Sequence, residues 1–194
     1  MSTTVNKLFD NFNINLQKPM KWKMNNSENK SGVYVIAITS DVNKVEMFKE
    51  PPFDNNKIKQ WMNVSKDINI DGIKATPDML KEELSKFWLS DETILYIGSA
   101  NSIRKRINQY YNHILGKRSP HSGGDWIKTL KIFEDLNVFY GYTENYKEVE
   151  VSMLYYFSKN VSDISVSNMN KPMPFANKKL DVIKPHKIKK ATVK

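Results

Sequence analysis

Tyr96-Ile97-Gly98-Ser99-Ala100-Asn101-Ser102-Ile103-Arg104-Lys105-Arg106 passes directly from a strand signature into a basic amphipathic helix. Residues 93–97 read as a strand that Gly98 closes, and Asn101 or Ser102 supplies the side-chain oxygen that caps the next helix. Ile103, Ile107, Tyr110 and Ile114 recur at helical spacing as an inward stripe, and Gly116 ends the helix. Arg106 flanks this stripe, three residues after Ile103 and four before Tyr110, so it leans along the sheet toward Tyr96. Arg104 flanks the other side and Lys105 points outward. Upstream, Gly32-Val33-Tyr34 leads a second apolar run, residues 33–39, with the β-branched bias of a buried strand.

Outward from these segments the chain alternates in period. Val5, Leu8, Phe9 and Phe12 predict a short helix that packs on the body, followed by a polar loop over residues 25–30. Residues 40–91 read as an insertion. Pro51-Pro52 interrupts it, Ile58, Trp61 and Met62 face inward from a short helix, and Asp71-Gly72 marks a turn. Thr76 with Pro77 then starts a helix running to about residue 89. A helix over residues 125–135, a strand over 137–142 and a helix over 146–159 come next, and a lysine-dense tail occupies residues 178–194. This order predicts an α+β fold: a small mixed or antiparallel sheet of about three strands, flanked by helices, with a helical insertion between its first two strands.

The 194 residues, 40% of them hydrophobic, suffice for one domain with a buried core. A formal net charge of +9 points to a polyanionic partner. With no cysteine, the chain has no disulfide, thiolate zinc site or cysteine nucleophile. His113, His121 and His186 are too scattered for a zinc cage. Residues 1–13 hold no apolar leader core and no later run reaches membrane-spanning length, which leads us to expect a cytoplasmic protein without a membrane partner.

Glu150 stands on an otherwise apolar helix face, with Tyr146 four residues before it and Met153, Leu154 and Phe157 after it. An unpaired buried carboxylate costs several kcal/mol, roughly, so such a group takes a cation or a metal; the alternatives are a snorkelling edge position or a structural lysine partner. Arginine's planar fork matches a phosphate, which makes Arg106 a clamp, whereas Arg-Lys-Arg taken alone reads as a solvated face. Tyr34 and Tyr96 lie on strands that can pair, and a phenol becomes a useful base only beside cations. His121, among small residues in the loop over 119–124, is a further candidate for proton transfer or phosphate contact.

Gly32-Val33-Tyr34, Tyr96-Ile97-Gly98, the arginine helix and the glutamate helix, in this order, resemble the GIY-YIG nuclease family over residues 31–177. The resemblance implies a catalytic set of Tyr34, Tyr96, Arg106, Tyr110 and Glu150, with His121 in reserve and Glu150 holding one Mg²⁺ or Mn²⁺. Tyr34, its pKa lowered by neighbouring cations, would activate the attacking water. The family's late asparagine matches Asn177, with Asn168 and Asn170 as competitors. DNA, or RNA in its place, would be held by Arg104, Lys105, Lys128, Asn177 and the tail residues Lys178 and Lys179. The implied activity is metal-dependent endonuclease; the alternative is a nucleic-acid-binding protein that keeps the fold and does not cut. One departure stands out: the family's first two strands are normally close in sequence, and here residues 40–91 separate them.

Overall fold

All six residues of the strand Gly32–Ala37 are buried, which places that strand inside a sheet. The computed structural model describes residues 2–65, 68–117, 124–162, 172–177 and 189–190. Along the chain run α1 (Val5–Asp10), β1 (Met20–Lys21), β2 (Gly32–Ala37), α2 (Asn55–Val64), β3 (Ile68–Ile70), β4 (Ile73–Lys74) and α3 (Pro77–Ser85). Then come β5 (Ile94–Ala100), α4 (Ile103–Tyr111), α5 (Gly124–Lys128), a 3-10 turn (Phe133–Asp135), β6 (Asn137–Tyr142), α6 (Tyr146–Lys159) and β7 (Lys189–Lys190). The architecture is α+β. Its main sheet has four antiparallel strands in the order β1-β6-β2-β5, one more than expected because β1 adds to β6.

Alternation along β2 divides the core between two faces. Tyr34 and Ile36 join the cluster that holds Ile103, Ile107 and Tyr110 of α4. Val33, Val35 and Ala37 face the other way, onto Met153, Leu154 and Phe157 of α6 and Val5, Leu8 and Phe9 of α1. The β2–β5 register pairs Ile36 with Tyr96 but Ala37 with Ile94, so Leu95 is an extra residue, a bulge. Beyond it Tyr96 lies on the α4 face, Ile97 on the α6 face, and β5 forms one edge of the sheet.

Gly98 does not close β5, which continues to Ala100. It sits opposite Tyr34 and two residues from Tyr96, and a Cβ on it would come within 2.5 Å of the Tyr96 ring and 2.9 Å of the Tyr34 ring. The glycine makes room for the two phenols. Gly32 does the same for backbone: a Cβ there would collide with the Gly141 carbonyl of β6.

Helix caps follow the sequence closely. Thr76 accepts from Met79 N with Pro77 in the first turn, and Ser102, rather than Asn101, accepts from Lys105 N. α4, however, stops at Tyr111, short of Gly116, leaving Ile114 half-exposed and off the inward stripe. The segment after α4 is organised by a buried pair: His113 Nε2 lies 3.1 Å from Asp125 Oδ1, which also accepts from Gly116 N at 2.7 Å. The helix expected over residues 125–135 is likewise cut after Lys128. Phe53 bridges Leu130, Asp54 N donates to the Thr129 carbonyl at 2.7 Å, and Lys131 N to that of Pro52 at 2.8 Å, so extended pairing replaces helical hydrogen bonds.

The insertion is not wholly helical. Between α2 and α3 it carries the β3–β4 hairpin, turned by Asp71 and Gly72 at positive φ, and β7 from the lysine-rich tail pairs antiparallel with β3. No helix among the described residues is long and apolar enough to cross a membrane.

Candidate active site

β5 is an edge strand, and the described residues cover its edge only in part. The turn over residues 172–177 lies against it: Ala176 N donates to the Leu95 carbonyl at 2.9 Å, and the Asn177 side chain brackets Ile97. Asn177 Oδ1 accepts from Ile97 N at 2.9 Å and Nδ2 donates to the Ile97 carbonyl at 2.7 Å. Asn177 is therefore a buried clamp on the Tyr96-Ile97-Gly98 segment, its amide spent on backbone rather than presented to a nucleic acid.

Where this cover ends, a cavity of about 500 Å³ opens at Ser99 and Ala100. The start of α4 forms one wall with Ser102, Lys105, Arg106 and Gln109; the start of α6 forms the other with Tyr146, Lys147 and Glu150. The cleft thus straddles the sheet edge, with Arg106 from the helix on one face opposite Glu150 from the helix on the other. Glu150 is half-buried and accepts a 2.5 Å hydrogen bond from Ser99 Oγ through Oε2. Ser99 reaches it because side chains alternate along β5, placing Ser99 with Ile97 on the α6 side. Arg106 forms no ion pair among the described residues, so its charge is available to the cleft.

The phenols stand behind this opening on the α4 face. Tyr34 and Tyr96 rings lie 5.7 Å apart, and Tyr96 meets Tyr110 edge-on at 5.1 Å. Tyr34 and Tyr110 are fully buried; Tyr96 is half-buried and is the one whose ionisation senses Glu150. The sequence led us to expect a phenol lowered jointly by Arg106 and a metal at Glu150. Arg106 does pull all three downward, but desolvation outweighs it. Burial pushes Tyr34 well above its ordinary value, with Tyr96 and Tyr110 adding to the effect. Tyr96 is pushed up to about 12, first by burial and then by Glu150. All three are neutral hydroxyls near pH 7. The Tyr34 hydroxyl is buried beside Tyr96, and a side-chain hydrogen bond between the two phenols raises Tyr34 and lowers Tyr96.

The remaining residues named from sequence divide. Lys105 is exposed on the cleft wall. Arg104 is turned aside, its guanidinium donating to the Ser27 carbonyl. Lys128 lies outside the cleft lining: it donates to the Tyr111 carbonyl and sits 4.8 Å from the Phe133 ring centroid, and burial, with Lys57 nearby, brings its amine down to about 8. His121, Lys178 and Lys179 lie outside the described residues. Sequence reading assigned no role to Ser99 or Lys147. Lys147 had a usable signal, one helical turn before Glu150; the Ser99–Glu150 contact joins distant segments and had none. No family model matches this chain, and no curated protein or solved structure matches it either.

Proposed function

We propose that this chain is a metal-dependent endonuclease of GIY-YIG type, hydrolysing DNA phosphodiesters in the cleft at the β5 edge. The observation that carries this reading is the placement of Arg106 and Glu150 on facing walls of one solvent-open cavity, beside Tyr96. Lys105 and Lys147 add positive charge to the two walls. A cleft of this size accommodates a nucleotide backbone, and its charges match one.

The donor set suits a loosely held ion. Among the described residues no group of three or more histidine or acidic side chains could hold a metal, and Glu150 is the single carboxylate that lines this cleft. Mg²⁺ and Mn²⁺ accept such a site because they keep water ligands and share the substrate's phosphate oxygens. An ion bound there would polarise the phosphoryl group and steady the leaving oxygen. Ser99 fixes the rotamer of Glu150 for that task. Arg106 neutralises charge growing on the non-bridging oxygens.

Hydrolysis forms a bond from the water oxygen to phosphorus, breaks the bond to the leaving deoxyribose oxygen, and moves one proton from water to that oxygen. Tyr96, which burial and Glu150 hold neutral near pH 7, serves as a hydrogen-bond donor that orients water or phosphate. Tyr34 supports it from behind through the hydrogen bond between the two phenols. The elevated phenols and the single carboxylate equally suit the second reading, a nucleic-acid-binding protein that does not cut.

A supercoiled-plasmid nicking assay separates the two. With Mg²⁺ or Mn²⁺ the wild type nicks, EDTA stops it, and Glu150→Ala stops it while DNA binding persists. Equal inactivity of wild type and variant, with DNA bound by both, supports the non-cutting reading.

A further inference from the structure

Register fixes where the backbone of β5 points. In an antiparallel pair the N–H and C=O of one residue share a side, and successive residues alternate sides. Both groups of Ile97 face away from β2, since Asn177 takes both. Tyr96, Gly98 and Ala100 therefore bond to Ile36, Tyr34 and Gly32, and Ser99, opposite Val33, again faces outward. Ile97 is covered by Asn177; Ser99, two residues on, lies where the cleft begins. Its N–H belongs to a sheet edge that no described residue completes, between the Arg106 wall and the Glu150 wall.

We infer that Ser99 binds the substrate phosphate through its main-chain N–H at this open stretch of the β5 edge. The inference rests on the proposed nuclease site and adds a donor to it. An edge N–H is held in place by the sheet and does not reorganise when charge develops on a phosphoryl oxygen. It is also free of the entropy that a lysine loses on contact. Arg106 and the Ser99 N–H would then reach the phosphate from different directions, while the Ser99 hydroxyl remains on Glu150.

Proline tests this donor specifically, because an outward-facing edge position is where a strand tolerates the loss of an N–H. Ser99→Pro removes the N–H and the hydroxyl; Ser99→Ala removes the hydroxyl alone. We expect Ser99→Pro to bind DNA more weakly than Ser99→Ala and to nick it about a hundredfold more slowly than that variant. Equal affinities and rates for the two variants would overturn the inference. Amide NMR of the wild-type full chain in EDTA, titrated with inorganic phosphate and then with a short DNA duplex, decides independently of whether Ser99→Pro folds. The Ser99 amide proton should move downfield and saturate along with the amides of Lys105 and Arg106. If Lys105 and Arg106 respond and Ser99 does not, this inference falls and the nuclease reading stands. If DNA binds and none of the three responds, both fall.

Discussion

Gly98 and Tyr34 show how single atoms set this site. A methyl group on Gly98 would press on both phenol rings from backbone that the sheet holds fixed. We expect Gly98→Ala to destabilise the fold by about 1–3 kcal/mol, read by urea unfolding, and to depress nicking beyond that loss because Tyr96 is displaced. Tyr34→Phe tests the neighbouring phenol. Its buried hydroxyl is hydrogen-bonded to Tyr96, so losing it should cost about 1 kcal/mol of stability, and nicking should fall about tenfold or more because Tyr96 loses its support. A variant as active as wild type would remove Tyr34 from the mechanism. The tripeptides, Arg106 and Glu150 were legible as residue types at helical or alternating spacing. The direction of the phenol shifts was not, because it depends on how deeply the rings are buried, and no local pattern encodes that.

At the level of elements, the Asn177 clamp does the work of a missing neighbouring strand. Its amide reproduces the donor–acceptor pair that a strand would offer Ile97, without extending the sheet across the cleft. Asn177→Ala should leave both Ile97 groups unpaired at a cost of about 1–3 kcal/mol, with faster hydrogen exchange at the Ile97 amide. An unchanged exchange rate would mean that the clamp is dispensable. The longer elements were legible from periodicity: β6 and α6 span the residues expected of them. The two-residue strands β1, β4 and β7 carry no periodic signal, and their pairing depends on contacts that no local pattern encodes. α4 was read too long because Ile114 keeps helical spacing while the buried His113–Asp125 pair pulls the chain off the helix axis. Tertiary contact outweighed local propensity there.

Across the whole molecule, an insertion of some length between β2 and β5 is accommodated because both of its ends return to paired strands. The opposite end of the fold is fastened by Glu92, which accepts from Thr3 N at 3.3 Å and Ser162 N at 3.0 Å and so joins the N-terminal segment to the end of α6. Burial raises this carboxyl from 4.5 to about 7, against the pull of those backbone hydrogen bonds. A folded-state value above the unfolded one stabilises the protein fully below pH 4.5, and that contribution is lost as the pH rises through 7. Thermal unfolding should therefore show Glu92→Gln gaining on the wild type by roughly 3 kcal/mol or less between pH 5 and 8; a constant difference would contradict the buried-acid assignment. The central claim is that Arg106 and Glu150 act on one phosphodiester across one cleft, and single-turnover plasmid nicking by Arg106→Ala, Glu150→Gln and the double variant, with DNA binding measured alongside, tests it most directly. The account predicts that each single change costs about a hundredfold or more and that the double costs little beyond either, because the two groups serve the same transition state. Wild-type DNA binding without any metal-dependent nicking, or nicking that both variants retain, would contradict it.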